Sequence, residues 1–370
     1  MNLYKNRCKV TNFFRTFALD LQLFKKKDVR LNFQKAIASS QATLPITCGV
    51  AFLLWFVPSS VQQSASFSSI EYGLWQFVPS FLQEGYWSLG ISAFCAAMAV
   101  YLLAELNNAH VLLRVSSRML SSMLAILLCV VVMGHQFQPG SVVMLLSLLS
   151  LFPLFSSYQS PHPLLSFLVY LPLSVASLTF PKLLWVIPFY WLIQGIFRAL
   201  SLRCFISSIL ATLLPYWIYG GIAILTSSTP LFLAHIQTIT QFHWFDYTAL
   251  NLLDILLYAF IVVLFLTGTI DFIIHQFMDK TRTRIIYNTA IIYGLTIATW
   301  IALQPQYFST LLPLFILSTA ILFGHFFTFT HTKFSHIYCI ILMVLTVLLL
   351  VAQYLPQELF TQFLSLNSHL

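Results

Sequence analysis

Long apolar runs, many of them close to one bilayer in length, alternate along the chain with short polar or basic breaks. A hydrocarbon core about 30 Å thick is crossed by roughly 20 helical residues. Runs over residues 42–58, 88–106, 119–134, 141–157, 164–180, 183–197, 204–226, 250–274, 285–303, 308–329 and 335–354 predict eleven transmembrane helices. Only Pro181 and Lys182 separate the fifth run from the sixth. No ten-residue alternation of apolar and polar positions points to a β-barrel, and a helix satisfies its own backbone groups within one segment. The expected fold is therefore an all-α, polytopic transmembrane bundle. Residues 1–41 form a basic tail, residues 42–354 the membrane domain and residues 355–370 a short tail after the last span.

Composition agrees. The chain has 370 residues, of which 59% are hydrophobic and 8% charged, with a mean hydropathy of +0.86. A soluble domain carries roughly 25% charged residues, so this chain has too few to cover a soluble surface. The first apolar run begins only near Ala42, too late for a secretory h-region, and is expected to stay in place as a helix. The six cysteines, Cys8, Cys48, Cys95, Cys129, Cys204 and Cys339, contain no CxxC pair and suggest neither a disulfide framework nor a zinc site.

Charge sets the expected orientation. With the N-terminus in the cytoplasm, seventeen of the eighteen Lys and Arg residues fall on the inner side, nine of them in the tail. Only Lys182 falls outside. This sorting obeys the positive-inside rule and predicts an outer C-terminus in a cell inner (plasma) membrane. Most of the net charge of +8 sits in the tail. There Phe13, Phe17, Leu21 and Phe24 share one helical face, as in a helix lying on anionic lipid, while a disordered tail is the alternative. The expected partners are membrane lipids and not nucleic acid.

The stretch "TGTIDFIIHQFMDKTRTR", residues 267–284, holds Asp271 and His275 one turn apart, followed by Lys280, Arg282 and Arg284. The first reading is an interfacial cluster in which the basic residues pair with Asp271 and with lipid phosphates; the second is a proton relay. "AELNNAHVLLRVSSRM", residues 104–119, reads as a polar inner loop with Arg114 and Arg118 on one helical face. His325, His331 and His336 are spaced six and five apart, and His235 and His243 eight apart, so no metal site is expected and each is read as structural or interfacial. Pro153, Pro172, Pro188, Pro215 and Pro313 lie inside apolar runs, where each removes a helix hydrogen bond and can kink its helix.

Two outer loops are long. Residues 59–87 carry Glu71 and Glu84 among Tyr72, Trp75, Phe77, Phe81, Tyr86 and Trp87, and residues 227–249 carry His235, His243, Trp244, Asp246 and Tyr247 without a cation. Between them runs "LPLSVASLTFPKLLWVIPFYWLIQGIFRALSLRCFISSILATLLPYWIYGGIAILTSSTPLFL". This stretch resembles the middle of polyprenyl-phosphate-dependent membrane glycosyltransferases of the GT-C class. The likeness rests on Pro181 with Lys182, on Arg198 and Arg203, on "LLPYW" at residues 213–217 and on Pro230 with Phe232. In that class the first outer loop holds the catalytic acid, and Glu71 and Glu84 stand in the matching place. Two features depart from the class: this loop has no Asp, and no soluble outer domain is visible. Through "AELNN", "DKTRTR" and "HFFTFTHTK" the chain also resembles an uncharacterised family of bacterial polytopic inner-membrane proteins.

The resemblance implies transfer of a sugar or related group from a lipid-linked phosphate donor at the outer face. Glu71, or else Glu84, would be the general base on the acceptor, and Lys182 would face the donor phosphate. His243 and Asp246 are further outer-loop candidates. No cofactor and no metal is expected. The alternatives are a transporter or flippase for an envelope lipid or glycan, and a non-catalytic assembly partner.

Overall fold

The computed structural model describes residues 40, 42–56, 75, 77–83, 85–115, 117–131, 135–241, 250–330 and 333–354. Among these residues every regular element is helical. The helices of ten residues or more are α1 (Thr43–Trp55), α2 (Gly85–His110), α3 (Met119–Val130), α4 (Pro139–Ser156), α5 (Pro163–Thr179), α6 (Ile187–Ile196), α7 (Leu202–Leu225), α8 (Thr229–Thr240), α9 (Leu252–His275), α10 (Thr281–Leu303), α11 (Phe308–Phe329) and α12 (Lys333–Tyr354). Seven of them, counting short extensions at their ends, are long and apolar enough to cross a membrane: α2, α4, α7, α9, α10, α11 and α12. Such a set fits an integral membrane protein.

Each expected run has a helical counterpart, but not each is a membrane-length helix. The sixth run, residues 183–197, is divided between a 3-10 segment, Pro181–Val186, and the ten-residue α6. The cause is local. A residue before proline is pushed into extended backbone, and Phe180 sits at φ −135° and ψ 90°, which ends α5 before Pro181. Pro188 then falls in the first turn of α6, where a proline costs no hydrogen bond, so it starts a helix instead of kinking one. Pro153, Pro172, Pro215 and Pro313 do lie inside helices. The outer loop expected over 227–249 contains an additional helix, α8, with Pro230 in its first turn.

Helix α11 is the centre of the bundle. Its 22 residues are buried almost without exception, from Phe308 to Thr328. Helices α3, α4, α9 and α10 pack around it. Lipid offers no hydrophobic drive for helices to associate, so contact depends on close approach through small residues. Gly268 of α9 supplies one such contact: a Cβ there would lie 2.8 Å from the backbone of Leu322 and Phe323. Helix α5 packs against α4 and α7, and α1 against α3.

The two ends of α11 mark the two ends of the bundle. At its start, Lys182 joins Tyr307 to Gln241 by donating to both. After its end, Thr330 meets α9 at Asp271. Arg114 and Asp279 pair at this second end, and Arg282 there reaches His110 and the carbonyl of Phe155.

Candidate functional site

Lys182 is the second residue of the 3-10 segment after α5, and it is buried, at 3% exposure. Its ammonium donates to the carbonyl of Gln241 at 2.6 Å and to the hydroxyl of Tyr307 at 2.7 Å. The same nitrogen lies 4.4 Å from the centre of the Tyr307 ring. An ammonium has three donors and no acceptor. Two neutral oxygens take two of those donors and cancel none of the charge. Among the described residues Lys182 has no carboxylate partner. A desolvated cation without an anion is costly to bury, and it is a strong attractor for one that can reach it.

Lys182 lines a groove of about 410 Å³. Trp185 and Phe189, Ile239 to Gln241 at the end of α8, and Leu295, Thr299 and Trp300 of α10 form its walls. The walls are fixed by their own hydrogen bonds. Trp185 Nε1 donates to the Ile239 carbonyl at 3.0 Å, and Trp300 Nε1 donates to Gln304 Oε1 at 2.9 Å. Phe180 packs edge-on to Tyr307 at 5.5 Å and braces the residue that holds the ammonium. The result is a mostly apolar groove, within the usual volume range of ligand sites, with one cation in its wall.

Lys182, expected to face a donor phosphate, is held inside the protein by Gln241 and Tyr307. Glu71, Glu84, His243 and Asp246 lie outside the described residues. Their neighbours are placed: Trp75 packs on Phe137 at 5.0 Å, and Gln241, two positions before His243, is the acceptor of Lys182. Gln241, Tyr307 and Trp300 were not among the expected site residues. Each comes from a different element, and only the fold brings them to Lys182.

The second end holds a cluster that differs from its expected form. Asp271 is buried, and its Oδ1 accepts from Thr330 Oγ1 at 2.8 Å and lies 3.0 Å from His275 Nδ1. No ion pair joins it to Lys280, Arg282 or Arg284 among the described residues. Those residues lie after the end of α9, while Asp271 faces α11. Asp279 is also buried and pairs with Arg114, Nε to Oδ1 at 2.5 Å. Residues 104–110 continue α2 instead of opening a loop, and Val111, at φ 49°, turns the chain out. Asn107 then holds that turn: its Oδ1 accepts from the Leu113 amide and its Nδ2 donates to the Ser117 carbonyl, both at 3.1 Å. Arg114 and Arg118 thus lie in an irregular segment and share no helical face. A further polar contact between distant parts of the chain lies around His135, whose ring stacks on Trp55 at 4.1 Å and whose carbonyl accepts from Ser92.

No family model matches this chain, and no curated protein matches it either.

Proposed function

We propose that this is an inner-membrane protein whose Lys182 groove binds the phosphate of a lipid-linked donor. The observation that carries this reading is the buried ammonium of Lys182, held by two neutral oxygens in an aromatic-walled groove. A polyprenyl phosphate has the two matching parts: an apolar chain for Trp185, Phe189 and Trp300, and an anion for Lys182. The chain crosses the membrane eleven times, with its N-terminus in the cytoplasm and its C-terminus outside. The grouping of Arg114 and Arg282 at the end opposite Lys182 supports that orientation.

The reaction, by resemblance to the GT-C class, is transfer of a sugar to an acceptor hydroxyl. The acceptor oxygen forms the new bond to the anomeric carbon as the bond from that carbon to the phosphate oxygen breaks. Glu71, or else Glu84, takes the hydroxyl proton, and Lys182 offsets the charge on the departing polyprenyl phosphate.

The test is native mass spectrometry of the protein in nanodiscs doped with polyprenyl phosphate or with the polyprenol of the same length. The expected result is retention of the phosphate over the alcohol, with the preference lost in Lys182→Ala and partly kept in Lys182→Arg. Equal retention of both lipids by the wild type would overturn the reading. Retention without sugar transfer would move the protein to the flippase class.

A further inference from the structure

The cluster around Asp279 contains more polar groups than its hydrogen bonds explain. His325 of α11 is 2% exposed, and both of its ring nitrogens lack a hydrogen-bond partner among the described residues. Its Nε2 lies 3.4 Å from Asp279 Oδ2, close enough for an ion pair but not aligned for a hydrogen bond. Asp271 Oδ2, Asp279 Oδ2 and the Tyr287 hydroxyl are likewise buried and unpartnered. The Tyr287 ring lies 4.8 Å from that of His325, and Phe272, stacked on Tyr287, lies 5.6 Å from that imidazole. Buried polar groups are paired in the great majority of cases, so the two ring nitrogens of His325 and three such oxygens on Asp271, Asp279 and Tyr287 call for an occupant.

The charges say which. Asp271 and Asp279 are two carboxylates, and both act electrostatically on His325. Arg114 is the one permanently charged cation paired with either of them among the described residues. Arg282 is engaged by His110 and by the Phe155 carbonyl, and Arg284 donates to Thr281. Arg118, at the start of α3, is exposed, and α4 brings no charged side chain to α11. Lys280 makes no ion pair among the described residues, and His336 lies in the first turn of α12. Two carboxylates against one guanidinium leave one negative charge in a desolvated place, which is unstable unless compensated. No group of three or more His, Cys, Asp and Glu side chains among the described residues is arranged to hold a metal ion. A single proton restores neutrality and supplies a donor to the unpartnered atoms.

We propose that Asp271, Asp279 and His325 form a proton-binding site, with His275 as its outlet. The side chain of His275 is 49% exposed, and its Nδ1 touches both the carboxylate and the carbonyl oxygen of Asp271. It is therefore the member of the cluster that is open to the surroundings. The site joins α9, α10, α11 and the segment after α2, so gain or loss of the proton changes the contacts among four parts of the chain at once. This inference does not depend on the Lys182 groove.

The experiment is a pH titration of the full chain in nanodiscs. It is followed by difference infrared spectroscopy in H2O and D2O, with histidine ring carbons labelled. The wild type is expected to take up one proton on buried carboxyl or imidazole groups. His325→Gln should shift that midpoint by about one pH unit or more, the usual effect of changing a close charged or polar neighbour. Asp279→Asn should remove the titration. If Asp279→Asn fails to fold because Arg114 is left unpaired, the double variant Arg114→Gln with Asp279→Asn replaces it and should also lack the titration. Glu105→Gln, which alters an acid outside the cluster, should titrate as the wild type does. An unchanged midpoint in His325→Gln together with a retained titration in the Asp279 variants would overturn the proposal.

Discussion

Arg114 reaches across 165 positions of sequence to Asp279, whose side chain is only 1% exposed. The pair ties the turn after α2 to the turn between α9 and α10. Removing one partner of a buried ion pair costs about 3–5 kcal/mol, because the other charge stays buried and alone. Arg114 is 41% exposed, so water relieves part of the cost when Asp279 is the residue removed. Asp279→Asn should lower unfolding stability by about 2–3 kcal/mol in a denaturant titration. Arg114→Gln should cost more, and the double variant less than the sum of the two.

Gly268 sets the distance between α9 and α11. Any side chain there meets the backbone at Leu322, and backbone cannot move aside as a flexible side chain can. Gly268→Val should destabilise by about 1–3 kcal/mol, the usual cost of overpacking. Gly221→Val, where nothing lies within 4 Å of an added Cβ, should be nearly neutral. Thermal melting of the two variants in the same detergent checks the contrast.

His135 lies between α3 and α4, outside both helices. Burial pushes its pKa down from 6.5 to about 4, against a smaller upward effect of the Cys129 carbonyl. The folded state thus holds the ring neutral where the unfolded state would protonate it. Its contribution is complete above about pH 6.5 and is lost as the pH falls toward 4. Melting temperature should drop across that window, and His135→Gln should flatten the drop. A variant with the full acid-side slope of the wild type would show that other groups cause it.

Topology has a direct test. A periplasmic-active reporter fused after Leu370 should be active, and one inserted near Thr281 should be inactive. The reverse pattern at either site would contradict the eleven-span orientation, because one alternation decides both.

In the proposed transfer, Glu71 or Glu84 is the general base. Loss of a general base typically costs about 10²–10⁴ in rate. The Glu71→Gln gene should fail to complement where the wild-type gene does, at unchanged membrane abundance, and Glu84→Gln should fail only if Glu84 is the base. Full complementation by both variants and by Lys182→Ala would leave transport or assembly as the function.

Apolar run length identified where the helices lie, because a helix that faces lipid must be apolar along its whole length. That same property hid the interior. In a soluble helix the apolar stripe shows which face is buried, whereas α11 is apolar on every side, and nothing in its sequence marks it as central. His325 shows the same limit. Its spacing from other histidines excludes a metal motif, but its neighbours Asp279 and Tyr287 come from another part of the chain. Lys182 was legible as a lone cation outside the basic end. Its burial was not, since Gln241 and Tyr307 lie 59 and 125 positions away. Asp271 was expected to pair with the three basic residues that follow it; the end of α9 separates them.

Helix α11 also bears on the order in which the protein can be assembled. Its four packing neighbours, α3, α4, α9 and α10, all precede it in the chain. When ribosomal synthesis reaches Phe308, these four helices have already been made, and only α12, whose Tyr338 meets Phe326, is still to come among the described helices. The link from α10 is only residues 304–307, so α11 enters beside the helix against which it will rest. A centre is then inserted among helices already made, and a truncation before residue 308 would leave those helices open to lipid along the face that α11 covers.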